Sequence, residues 1–285
     1  MATLVFDAAV LSLKDDIPPQ FVWPADEAPS VDGVEEIAVP VVDIAGFLAG
    51  DGALPLAEKQ RAQRRLGENH GYAGSFVGRF GSKLPWKETM SFNCSAAPEG
   101  ARKVVDYFVG VLGEEYRDMG GVWQEYCDEM TRLALDVTDV LAACLGLRHG
   151  ALRGFFAGDD SLMRLNHYPP CQKPHLTRAV RPRSDAFVVN IGDTFSALTN
   201  GRHISCLHRA VVNSSLARRS LTFFLNPQLD RLVAPPPELL AVDGRPRVYP
   251  DFTWREFLEF TQKHYRSDWR TLDAFASWIN QGRKG

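Results

Sequence analysis

Cys206-Leu207-His208-Arg209-Ala210-Val211-Val212-Asn213 and, a few residues later, Arg218-Arg219-Ser220-Leu221-Thr222-Phe223-Phe224 are runs rich in β-branched and aromatic residues with turn formers between them. That is the pattern of two adjoining strands. A strand sends alternate side chains to opposite faces, so Arg218, Ser220 and Thr222 share one face. A guanidinium beside hydroxyls suits a small carboxylate, because its planar fork donates two hydrogen bonds and its charge is permanent. His208, on the neighbouring strand, offers an imidazole to a metal. A single histidine or a single Arg-x-Ser is common in cores and on surfaces alike, so the weight rests on what surrounds them.

Upstream, Asn166-His167-Tyr168-Pro169-Pro170-Cys171-Gln172-Lys173-Pro174 ends a further strand in a rigid Pro-Pro turn. Its fixed geometry either aims Tyr168 into a pocket or packs it in the core. Leu84-Pro85-Trp86-Lys87-Glu88-Thr89 sets a large apolar ring beside a cation. The pair suits an apolar acid; the alternative is a helix start or a loop anchored by a buried Trp.

Short β-favouring segments recur at residues 162–168, 186–191, 206–212 and 220–225, and predict part of a β-sandwich or barrel. Before them, residues 54–65 favour helix and residues 72–80 read as a loop or edge strand, with Trp86 beginning a polar connection. Residues 104–147 carry apolar side chains at helical intervals, among them Val122, Tyr126, Met130, Leu133, Val137, Val140, Leu141 and Cys144, which predicts a long amphipathic helix. Residues 1–50 read as an extended arm broken by prolines, with a short strand at 37–44. The tail, with Phe252, Trp254, Phe257, Leu258, Phe260 and Tyr265, returns to helical spacing and is expected to pack on the β core. The fold class is therefore α+β, divided into a helical and extended part over residues 1–158 and a β part with a C-terminal helix over 159–285.

Of the 285 residues 45% are hydrophobic and 24% charged, enough apolar material for a large core. The net charge of -3 argues against general nucleic-acid binding, which usually needs a basic face, and leaves room for a small acidic ligand. Lys59, Arg61, Arg64 and Arg65 lie in helix-favouring sequence and are expected on a solvated face. The five cysteines are widely spaced with no CxxC pair, so neither a zinc signature nor a disulfide framework is expected. No leader or membrane-length apolar segment is expected, and a reducing, cytoplasmic setting is the default.

Asn166-x-Tyr168-x-x-Cys171, a strand-like run at 185–193, His208 and Arg218-x-Ser220 follow the order of the plant 2-oxoglutarate oxygenases, which this chain resembles over most of its length. The segments 84–89 and 168–174 are similar to those of the gibberellin 20-oxidase branch, as are Gly71-Tyr72, Phe80 and Phe257-Leu258-Glu259-Phe260-Thr261-Gln262-Lys263-His264-Tyr265-Arg266. The resemblance implies a double-stranded β-helix, or jelly roll, with iron(II), 2-oxoglutarate as cosubstrate and ascorbate in support. The implied reaction is oxidation of carbon-20 of a gibberellin precursor by a cytoplasmic monomer with no nucleic-acid or membrane partner. It places His208 on the metal, Tyr168, Arg218 and Ser220 on 2-oxoglutarate, and Leu84, Trp86 and Lys87 at the substrate.

Against that pattern one feature is missing. Such a site binds iron through two His and one carboxylate, leaving three positions open, and the family supplies two of those ligands from a His-x-Asp pair between the 168–174 motif and the strand near Ala186. None of His70, His149, His167, His175, His203, His208 or His264 is followed two residues later by Asp or Glu. His175-Leu176-Thr177 runs almost directly into Ala179-Val180-Arg181-Pro182. A second gap is expected where Ala49-Gly50-Asp51-Gly52-Ala53 meets Leu54, and the jelly roll is therefore expected to be incomplete. His175 and Asp185 match no ligand position in the family. His167 stands where the family carries Tyr, either as a simple substitution or as an added imidazole near the pocket. Three readings follow: an oxygenase by descent that is impaired in this form, a non-catalytic binding protein, or a defective splice or gene-model product.

Overall fold

The computed structural model describes residues 56–65, 68–74, 86–95, 102–156, 158, 161–170, 187–206, 214–241, 244–264 and 270–282. The expected arm at 1–50, Leu84, His175, Asp185 and His208 lie outside these residues.

At its centre is a four-stranded antiparallel sheet of β1 (Gly71–Gly74), β2 (Glu88–Asn93), β3 (Leu162–Tyr168) and β4 (Arg218–Phe224), in that order. Two strands come from each side of the 158/159 division. The period-two alternation of β2 explains its place: Met90 and Phe92 point to one face, Thr89 and Ser91 to the other, and all four are buried. Sequence reading took this stretch for a polar connection because Glu, Thr, Ser and Asn dominate it. The signal that identifies it is the alternation, since an inner strand in which both faces are covered need not be apolar on both.

The apolar face carries Tyr72, Met90, Phe92, Met163, Leu165, Leu221 and Phe223. It packs on α2 (Lys103–Leu112) and α3 (Arg117–Cys144), with α1 (Leu56–Arg61) beside them. Phe92, fully buried, meets Phe108 edge-on at 5.2 Å and Trp123 at 5.7 Å. Gly120 lets α2 and α3 approach, since a Cβ there would sit 3.0 Å from the Val105 Cα. Gln124 is buried because its Oε1 accepts from the Val104 N–H in the first turn of α2 at 3.0 Å. At the sheet edge, Tyr72 N–H donates to Ala62 O and Tyr72 O accepts from Arg64 N–H in the chain leaving α1, and Gly71, at φ +102°, comes so close to that chain that a Cβ would be 2.9 Å from the Ala62 O.

The long helix forms where its periodicity predicts, but its deepest face is a different one. Gly120, Trp123, Cys127, Thr131, Thr138 and Ala142 are buried, whereas Val122, Leu133 and Val140 are exposed, Val140 at 63%. The exposed apolar residues lie on nearly the opposite side of the helix, and the sheet and α2 cover the mixed stripe that runs through Trp123 and Cys127.

The short α4 (Arg153–Phe156) follows, and α5 (Asp193–Leu198) buries Phe195 and Leu198 in a cluster with Leu152 and Phe156. Residues 187–191 form no strand, contrary to expectation: no described partner strand lies beside them, and an isolated β run does not satisfy its own backbone. The tail comprises β5 (Leu232–Val233), α6 (Pro237–Ala241), β6 (Phe252–Thr253), α7 (Trp254–His264) and α8 (Thr271–Gly282). It does not pack on the four-stranded sheet as expected. Val233, Phe252, Phe257, Phe260, Leu272, Phe275 and Ile279 gather with Ala197 of α5 into a separate aromatic core, because the β5–β6 pair supplies an apolar platform nearer in sequence. Among the described residues, no helix is long and apolar enough to cross a membrane.

Candidate functional site

The second face of the sheet is polar, and its side chains come together by register. In the β3–β4 pair Tyr168 stands opposite Arg218, Asn166 opposite Ser220 and Arg164 opposite Thr222. Directly opposed residues in an antiparallel pair share a face. The Arg218 guanidinium lies 5.1 Å over the Tyr168 ring. The Asn166 amide donates to Ser220 Oγ at 3.2 Å and to Thr222 Oγ1 at 3.3 Å. One step beyond the Glu88–His167 pair, Lys87 reaches the same row, with Nζ donating to Asn166 Oδ1 at 3.2 Å and lying 5.7 Å from the Tyr168 ring. Guanidinium, ammonium, phenol, amide and hydroxyls thus meet at one end of one face, and none of these side chains is a carboxylate. That donor set fits an organic acid.

Behind this row, on the helix-facing side, Glu88 is buried and accepts from Tyr72 Oη at 2.7 Å, from Lys59 Nζ at 2.9 Å and from His167 Nδ1 at 2.9 Å. Burial pushes its carboxyl up, but hydrogen bonds from His167, Lys59 and Tyr72 outweigh it and hold the pKa at about 2. Because neighbouring residues in a strand point opposite ways, fixing Glu88 inward aims Lys87 outward. His167 therefore belongs to the Glu88 network and faces away from Tyr168 and Asn166, so it adds no imidazole to the polar face.

Trp86 is 8% exposed and donates its indole N–H to Pro169 O at 3.1 Å, which makes it the anchor of the Pro-Pro turn. Lys59 and Arg64 turn inward, unlike their expected solvated face: Arg64 donates to His70 O, Gly71 O and Ser91 Oγ, and Arg164 reaches the same Ser91 Oγ at 3.0 Å. Sequence reading assigned no role to Glu88 or to Arg164. Asn166 stood within a quoted motif, and the two-residue step to Tyr168 was the signal that it shares that side chain's face. An open groove of about 600 Å3 lined by Arg148, Ala151, Phe155, Asp230 and Arg231 shares no residue with the cluster.

Iron fits less well than the acid. Among the described residues, no group of three His, Cys, Asp or Glu side chains is arranged to hold a metal ion, and the whole sequence lacks His-x-Asp and His-x-Glu.

A sheet with helices on its apolar face and a row of hydrogen-bond donors on its polar face is consistent with one wall of a jelly roll. The chain shares its fold with the crystal structure of JOX2 in complex with 2OG, Fe and JA, at TM-score 0.73 and 21% identity over 94% of this chain and 97% of that one. It also matches the rice dioxygenase for auxin oxidation at TM-score 0.59 and 23% identity, over 78% and 80%. The fold is that of the 2-oxoglutarate- and iron(II)-dependent oxygenases, and the 2OG-Fe(II) oxygenase superfamily profile matches residues 177–227.

The sequence is 59% identical to gibberellin 20 oxidase 3 of Oryza sativa subsp. japonica, covering 99% of this chain and 97% of that protein, and 46% identical to gibberellin 20 oxidase 1-A of Triticum aestivum, covering 100% and 98%. The chain belongs to the gibberellin 20-oxidase family. The rice alignment runs over 358 positions against 285 residues here, so at least 73 positions have no counterpart in this chain. Because both proteins are covered almost end to end, that shortfall is internal.

Proposed function

We propose that this chain is a gibberellin 20-oxidase by descent that keeps the 2-oxoglutarate end of its site, has lost the iron end, and does not oxidise carbon-20 of a gibberellin precursor. The observation that carries the reading is the absence of any His followed two residues later by Asp or Glu, in a chain whose internal shortfall spans at least 73 aligned positions. The losses are assigned to the junctions near 49–54 and 177–179. Tyr168, Arg218 and Ser220 would hold the carboxylate of 2-oxoglutarate, which in an intact family member is the two-electron reductant for dioxygen. Lys87 supplies a cation for an acid, and Leu84 and Trp86 shape the substrate side. His208 remains the single family metal ligand, and one imidazole does not retain iron(II) against water and chelators. The reading takes the chain as a cytoplasmic monomer acting on a small acid, with ascorbate relevant only to an iron-loaded form.

Mass spectrometry of the full chain with a carbon-20 gibberellin precursor, 2-oxoglutarate, iron(II) and ascorbate tests this. The expected result is no oxidised product and no coupled carbon dioxide, while a chain with both junctions refilled from a relative turns over and one refilled with the His and Asp ligands changed to Ala does not. Product from the unmodified chain overturns the reading.

A further inference from the structure

The four-stranded sheet ends differently at its two edges. Beyond β1 lies the chain leaving α1, tied to Tyr72 by two backbone hydrogen bonds and a parallel bridge at Gln63. Beyond β4 no strand follows among the described residues. Five of the six residues of the inner strand β2 are buried, whereas none of the seven residues of β4 is, and Phe224 is 37% exposed. Folded sheets blunt such an edge with lysine, proline or a bulge. β4 contains no Lys, Pro or Gly, pairs one for one with β3 so that no bulge interrupts it, and carries its charges, Arg218 and Arg219, at one end only. The strand is also complementary to itself. Laid antiparallel on a second copy with a two-fold axis through Leu221, all seven residues pair: Arg218 meets Phe224, Ser220 meets Thr222, and Leu221 meets Leu221. Directly opposed residues share a face, so Leu221 and Phe223 of both copies continue one apolar face. The arginines fall at opposite ends, and Arg218 meets an aromatic ring, the kind of contact that Arg164 makes with Phe224 at 5.2 Å within one chain. An axis moved by a whole residue leaves strand ends unpaired, and one moved by half a residue turns the apolar face of one copy onto the polar face of the other.

We propose that β4 is the docking edge for a second copy of this chain, closing a two-fold dimer whose sheet runs continuously from one β4 into the other. Because the β1 edge is already covered, addition stops at two copies and no fibre grows. Seven residues span about 24 Å, an interface at the small end for protein pairs, so association is expected at micromolar concentrations. The monomer taken above is the form below that concentration.

The test is sedimentation velocity on the full chain from about 1 to about 100 μM. The expected result is a reversible rise from the mass of one chain to that of two, with no larger species. Phe224→Arg sets an arginine against Arg218 at both ends of the pair and is expected to weaken association about tenfold, and adding Arg218→Phe exchanges the two residues and restores it. To locate the contact, Cys144, Cys171 and Cys206 are changed to Ser and one new cysteine is placed at Leu221 or at Val140. Under mild oxidation Leu221→Cys, on the axis, is expected to crosslink two chains, and Val140→Cys, on the exposed side of α3, is not. A chain that stays monomeric throughout, a species that grows past two chains, a dimer indifferent to Phe224→Arg, or crosslinking through Val140 and not through Leu221 overturns the proposal. None of these readouts involves turnover or acid binding, so a failure here is distinguishable from a failure of the non-catalytic reading.

Discussion

Arg218 is the register partner of Tyr168 in the β3–β4 pair, and its guanidinium lies 5.1 Å over the phenol ring. A guanidinium's two-pronged geometry matches a carboxylate. Arg218→Lys keeps the charge but loses the fork. It is expected to weaken 2-oxoglutarate binding about tenfold or more while shifting the unfolding free energy by no more than about 0.5 kcal/mol. Calorimetry paired with denaturant unfolding checks both; unchanged affinity would remove the bidentate role.

Glu88 makes folding sensitive to acid in a defined window. Its folded pKa of about 2 lies below the ordinary 4.5, so its stabilisation is fully present above pH 4.5 and is lost as pH falls through about 2. The shift corresponds to at most about 3–4 kcal/mol. Glu88→Gln is therefore expected to be less stable than the parent at pH 7, with the difference shrinking to near zero toward pH 2. Urea unfolding across that range gives the two curves, and parallel curves would show that the carboxylate is not stabilised by its three partners.

The two stripes of α3 predict opposite mutational responses. Trp123→Ala, on the buried stripe that packs against Phe92, should cost about 3–5 kcal/mol. Val140→Gln, on the exposed stripe, should fall within about 0.5 kcal/mol of the parent. A large loss at Val140 would mean that the helix is rotated from the face described.

Trp86 acts through Pro169. Trp86→Phe retains the ring but leaves a buried carbonyl without its donor, at an expected cost of about 1–3 kcal/mol. If binding of an acid ligand survives this change in proportion to folded protein, Trp86 positions the turn and does not contact the ligand; a selective loss of affinity would place it in the site.

Metal content offers a direct check on the missing ligands. The purified full chain, loaded with iron(II) without oxygen and desalted, should carry well under one iron per chain by elemental analysis. Stoichiometric iron that disappears in His208→Ala would reveal ligands that the His-x-Asp pattern does not capture.

Much of this protein was legible before folding. The 3.6-residue spacing over 104–147 predicts α3, and the two-residue spacing of Arg218, Ser220 and Thr222 and of Asn166 and Tyr168 predicts shared faces, because backbone geometry alone sets those periods. The missing His-x-Asp is likewise a property of the chain order, and so is membership in the oxygenases, which rests on motifs in a fixed sequence. Tertiary structure decided the rest. Which stripe of α3 is buried depended on the shape of the sheet and α2, since the buried stripe mixes Trp123 and Cys127 with Gln124, Thr131 and Thr138 and apolar periodicity alone favours the other. That Glu88 is a buried anchor and Lys87 a cation on the polar face depended on Lys59, Tyr72 and His167, which reach Glu88 from α1, β1 and β3. Burial of a charge is a long-range outcome: it is tolerated only where distant segments deliver donors to one carboxylate, and nothing in the residues beside Glu88 announces that they will.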